Sequence, residues 1–142
     1  MRFEKLKHID KLAFLTRLHK RLNKNLFNNE LHQVSVDIVN LENCYGMYCR
    51  NPERIIFSLE MMEQVKQCRT QQDQIYIITL ILLHEMIHQY CALKGIEDKD
   101  HPIQWQEEAE KHGLHSIYKA GELQEEYLTL GAVITISGLR IK

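Results

Sequence analysis

The chain lacks a long apolar run. Its longest, "IYIITLILL", spans nine residues and ends at His84, well short of the roughly 20 needed to cross a bilayer. The opening residues, "MRFEKLKHID", hold no apolar stretch followed by a small-residue cleavage site, so no secretory signal is expected. A soluble, cytoplasmic protein without membrane association is the expectation. There is no C-x-x-C pair among Cys44, Cys49, Cys68 and Cys91, and free thiols are the default in a cytosolic chain. Internal repeats, low-complexity tracts and domain linkers are absent too, and 142 residues fit a single domain spanning 1–142 with a core of its own.

Net charge of either sign is nearly absent at −1, but the balance is uneven. Residues 1–25 carry eight Lys or Arg against Glu4 and Asp10, a net of +6, leaving −7 on the remainder. A basic segment on an acidic body suits a nucleic-acid or acidic-partner contact through Arg17, Lys20, Arg21 and Lys24; a solvated helix face is the simpler reading and the preferred one.

Residues 9–27 predict an amphipathic helix, with Leu12, Leu15, Leu18, Leu22 and Leu26 on one arc and the basic residues on another. "FNNEL" interrupts it with turn-prone asparagines. "VSVDIVN" alternates as a half-buried strand does, and "YGMYCR" and "RIIFSL" read as two more strands joined around Asn51-Pro52. "EMMEQVKQ" adds a short helix. Residues 73–94 give the clearest helix, with Asp73 as expected N-cap and Gly95 as stop. Apolar side chains surround its axis, as in a helix buried at the centre of a domain. "HPIQWQEEAEKHG" predicts a further helix and "AVITIS" a strand. The pattern is α+β, a small, mostly antiparallel sheet beside a central helix.

That central helix carries "LLHEMIHQY". Histidines four apart differ by about 40° around a helix, so His84 and His88 point the same way and can reach one metal ion. Glu85 lies about 100° from His84, beside the pair, where it can face a water without being a ligand. Zinc suits two imidazoles, and a catalytic zinc site keeps one position for water. Zinc brings the pKa of that water from about 15.7 to near 7, and a neighbouring carboxylate can take its proton and return it to a leaving amine. Peptide hydrolysis is the reaction this chemistry fits. Two histidines and a glutamate in an apolar helix would be costly without a partner, which favours a metal site over coincidence.

A third ligand must come from further along. His101 is the first candidate, because it follows a loop and opens the next helix, so the chain can fold back beside His88. Glu107, Glu108 and Glu110 are rivals, since another class of zinc peptidase uses a glutamate from a following helix; His112 and His115 lie further off. Cys91 shares the face of His84 and His88 almost two turns on, where packing is the simpler role.

The ordered set "LNKNLFNNELHQVSVDI", "GMYC" then "RIIFSL", "LLHEMIHQY" and "DKDHPIQW" resembles the SprT-like metalloprotease family, which includes the Spartan-type DNA–protein crosslink proteases, over about residues 10–115. The resemblance implies a compact zincin-like core, one Zn2+ held by His84, His88 and His101, and Glu85 as general base. It also implies a protein or peptide substrate held along an edge strand near Gly46, Met47 and Tyr48, with DNA-associated proteins among the candidates. Pro102 stands where family members often have glycine, while Trp105 keeps the aromatic residue four positions on from the third histidine. Many members continue into a cysteine zinc ribbon, whereas no cysteine lies beyond Cys91 here. Residues 116–142 therefore read as a different extension. Two other readings stay open, a non-catalytic module stabilised by zinc and a nucleic-acid accessory protein working through its basic helix.

Overall fold

The computed structural model describes residues 2–42, 44–96, 107, 108 and 111. A short 3-10 turn, Phe3–Lys5, leads into α1 (His8–Leu26); strands β1 (Ser35–Val39), β2 (Gly46–Arg50) and β3 (Glu53–Ser58) follow, then α2 (Leu59–Lys66) and α3 (Gln71–Lys94). The described fold is α+β.

α1 ends where its sequence turns to asparagine. Asn28 and Asn29 take positive φ values of 53° and 59°, a conformation that asparagine tolerates better than most residues. The buried Asn23 side chain holds the reversal, donating to the Leu31 carbonyl at 2.8 Å and accepting from the Leu31 N–H at 3.1 Å. This sends the chain back along α1 and into β1.

The sheet is mixed, in the order β1-β3-β2. β2 and β3 form the expected antiparallel hairpin, with Gly46 opposite Phe57 and Tyr48 opposite Ile55. β1 instead runs parallel to β3, pairing Val36 with Ile55 and Ile38 with Phe57. The sheet is thus less antiparallel than the sequence suggested. The cause is the 40–45 connection: it crosses two strand spacings, about 10 Å, and β3 returns into the slot between. Val36, Ile38, Ile55 and Phe57 share the face turned to the helices and join the core; α1 packs on β1 and α3 on β2.

Ser58 closes β3 and opens α2, its hydroxyl accepting from the Met61 N–H at 2.9 Å. α3 starts two residues earlier than expected, because Thr70 caps it and accepts from the Asp73 N–H at 3.0 Å. Asp73 therefore sits inside the first turn, where its charge favours the helix dipole. Gly95 ends the helix at φ 68°, in the left-handed region.

Ile77, Ile78, Leu80, Ile81, Leu82, Leu83, Met86 and Ile87 are all buried, each contributing about 1.5–3 kcal/mol by leaving water. Residues 73–94 are apolar and long enough to span a membrane by composition, yet 72% of the apolar window is buried within the fold. The apolarity of α3 matches the core it fills.

The N-terminus is sewn onto α2 and α3. The Arg2 guanidinium donates to the carbonyls of Lys66, Cys68 and Arg69 at 2.9, 2.8 and 3.3 Å, which covers the open end of α2. Buried Gln74 accepts from the Phe3 N–H and donates to Glu4 and to the Val65 carbonyl. Burial alone would raise the Glu4 pKa, but hydrogen bonds from Arg2 and Gln74 outweigh it and bring it to about 2. Burial pushes the Cys68 thiol up to about 11, so it behaves as a core residue. All four cysteines are free, as expected.

Candidate metal centre

Helical spacing brings His84 and His88 to one face of α3, with ring centroids 5.1 Å apart and planes at 62°. One donor atom each from His84, Glu85 and His88 falls within 4.8 Å of the others, a grouping able to hold a metal ion. All three side chains are buried, and His88, at 8% exposed, is the most accessible. Two imidazoles that share one small buried volume suit a single cation, with the Glu85 carboxylate beside them. Cys91 lies fully buried in the hydrophobic core, as a packing residue does.

Strand β2 meets this site at Gly46. A Cβ there would lie 3.1 Å from Ile81 Cγ2 and 3.2 Å from Glu85 Oε2. The missing side chain is what lets the strand lie against the carboxylate. One turn on, Gln89 reaches Glu53 of β3 at 3.4 Å. Going around α3 in steps of about 40–60°, Gln89 faces β3, Glu85 faces β2, and His88 then His84 follow in the same sense. The histidines therefore fall on the side of Glu85 away from Gln89, and along the outer edge of β2 no described strand pairs.

Gln89 ties four segments together. Its Oε1 accepts from His19 Nε2 of α1 at 2.9 Å, and its Nε2 donates to the His32 carbonyl at 2.8 Å as well as to Glu53. The Tyr48 hydroxyl donates to the other Glu53 oxygen at 2.7 Å. Because a glutamine oxygen can only accept, His19 carries its proton on Nε2. Burial draws the His19 pKa down, and the Gln89 bond and Glu53 charge only partly oppose it. Beside this network a cleft of about 320 Å³ opens between Tyr48, Arg50 and Glu53 on the sheet and Gln89, Ala92 and Leu93 on α3.

Neither Gln89 nor His19 stood out in the sequence as part of the site. The available signal was Gln89 itself, a polar residue on a helix otherwise fit for complete burial. The contact between Gly46 and Glu85 gave no local signal at all.

His101, Glu110, His112 and His115 lie outside the described residues, as do "AVITIS" and most of the last predicted helix. Of that helix, residues 107, 108 and 111 are described and are helical. Glu107 is exposed, Glu108 lies 3.5 Å from Lys111, and neither belongs to the grouping around His84.

The SprT-like family model matches residues 15–120. No curated protein and no solved structure matches the chain.

Proposed function

The chain belongs to the SprT-like family, and from that premise we propose that it is a zinc-dependent endopeptidase with His84, His88 and His101 as ligands and Glu85 as general base. The observation that carries the reading is the buried His84–Glu85–His88 grouping, its donor atoms within 4.8 Å of one another and its carboxylate against Gly46 of β2. Two imidazoles backed by a carboxylate fit zinc by donor type. When bound, zinc supplies Lewis acidity toward water and the scissile carbonyl.

The remaining work falls to the protein. His84 and His88, fixed one turn apart on one helix, would hold the ion with Glu85 beside it. Glu85 receives the proton of the attacking water on a carboxylate oxygen and passes it to the departing amine. The outer edge of β2, from Gly46 to Tyr48, offers backbone N–H and C=O groups to a substrate in extended form. Gly46 brings that strand to within contact of Glu85. Burial of the grouping excludes bulk water and strengthens each electrostatic contact made there.

Zinc content and hydrolysis of a denatured protein substrate, measured side by side, test this reading. Glu85→Gln should keep one zinc per chain and lose about 10²–10⁴-fold in rate, the usual worth of a general base. His84→Ala should lose both metal and activity, and His101→Ala should lower zinc content. Equal hydrolysis by wild type and Glu85→Gln would sink the mechanism, and unchanged zinc in His101→Ala would move the third ligand elsewhere.

A further inference from the structure

Away from the histidines, a groove of about 350 Å³ runs between the start of α1 and the first turns of α3. Its apolar lining comes from Phe3, Leu6, Phe14 and Ile75, with Asp10 and Arg17 also bordering it. The size suits one or two bulky side chains. Ile9, on the same turn as Asp10, is 72% exposed.

The groove opens onto a track of positive charge. Asp10, Phe14, Arg17, Arg21 and Lys24 fall on one side of α1 by helical spacing, with Lys20 flanking them. Arg17, Lys20, Arg21 and Lys24 are all exposed and form no ion pair with any described residue. The stretch "RLHKRLNK" holds no acid to balance them. An apolar socket thus continues into four uncompensated cations, over about 15 Å from Phe14 to Lys24 at 1.5 Å per residue.

We infer that this face of α1 is a docking surface for an acidic peptide segment that carries one bulky apolar side chain. The apolar residue seats against Leu6, Phe14 and Ile75, and the acidic residues run along Arg17, Lys20, Arg21 and Lys24. About five extended residues cover that distance. Charge complementarity selects an acidic partner, and the socket selects a protein over a nucleic acid. Phe3 is only 3% exposed and offers no ring face for a base to stack on. Ile75 stands about 13 Å along α3 from His84, so the surface is separate from the metal centre and its occupancy does not depend on metal.

Fluorescence anisotropy with the full chain tests the inference. The probe is a labelled peptide of one leucine followed by five glutamates. Its controls are the same peptide with serine for leucine, a leucine–pentalysine peptide, and a single-stranded oligonucleotide of equal charge. The leucine–glutamate peptide should bind about tenfold or more tighter than the serine form, the range of a buried anchor, and weaken as salt rises. Arg17→Glu/Arg21→Glu, at exposed positions, should abolish binding while circular dichroism and melting stay unchanged. Ile75→Gln should remove the preference for leucine over serine. Equal binding of the leucine and serine peptides, or binding that survives the double charge reversal, would overturn the proposal. So would tighter binding of the oligonucleotide than of the peptide, which would make this face a nucleic-acid surface.

Discussion

Replacing Gly46 with alanine puts a methyl group into a close contact between the sheet and the metal-centre helix. The new Cβ would stand 3.1 Å from Ile81 Cγ2, 3.2 Å from Glu85 Oε2 and 3.4 Å from Glu85 Cγ. Carbon atoms pack best at about 3.5–4.0 Å, so the neighbours must retreat by a few tenths of an ångström. Ile81 is 1% exposed and surrounded by core, and the easier retreat belongs to the Glu85 side chain. Overpacking costs about 1–3 kcal/mol, while removing a glycine stiffens the unfolded chain and returns about 0.4–1 kcal/mol. A net loss of about 0.5–2 kcal/mol is expected.

The catalytic effect should exceed the structural one. Misplacing a reacting group by 1 Å costs about 100-fold, so a third of that shift at Glu85 should lower kcat roughly fivefold. Zinc content should be unchanged, because the added methyl group meets Ile81 and Glu85 and neither histidine. Urea unfolding gives the stability change, provided the slope of the transition is unaltered. A Gly46→Ala protein that is more stable than wild type and equally active would refute the close approach of β2 to Glu85. Gly46→Val, with two more methyl groups, should enlarge both effects.

Two further expectations rest on the hydrogen-bond networks. Gln89→Leu strands the buried His19 Nε2, at about 1–3 kcal/mol for a buried group left unpaired, while water can reach the part-buried His32 carbonyl; a smaller fall in the urea midpoint would mean water replaces the amide at His19 too. Glu4, at about 2 in the fold against an ordinary 4.5, contributes stability that is complete above pH 4.5 and is lost as pH falls from there toward 2. In acid melts Glu4→Gln should lose less stability than wild type across that window, and parallel curves would show that the Arg2 and Gln74 bonds do not perturb Glu4.

The parts of the molecule that could be read from sequence are those whose logic is local. α3 announced itself because apolar residues on every side of a helix leave only burial, and His84 and His88 because four residues make about one turn. Even the local signals competed, since Thr70 and Asp73 are both good caps. Only the fold shows the Thr70 hydroxyl taking the Asp73 N–H. Strand direction was not local. β1 alternates equally well whichever way its neighbour runs, and its parallel pairing follows from where the 40–45 connection crosses the sheet.

The same division runs through the candidate site. Of the residues proposed to carry chemistry, His84, Glu85 and His88 sit within five positions on one helix and were visible together. Their surroundings come from elsewhere, Gly46 from β2 against Glu85, and His19 from α1 and Glu53 from β3 against Gln89 one turn on, and meet α3 only on folding. Arg2 shows how far composition can mislead: one of eight cations in a stretch suited to a solvated face, it spends its donors on the carbonyls that close α2. A helix bearing His84, Glu85 and His88 could arise in any buried setting. What makes it a candidate for hydrolysis is a glycine on an edge strand set against the glutamate, and that arrangement is written in the pairing of distant segments.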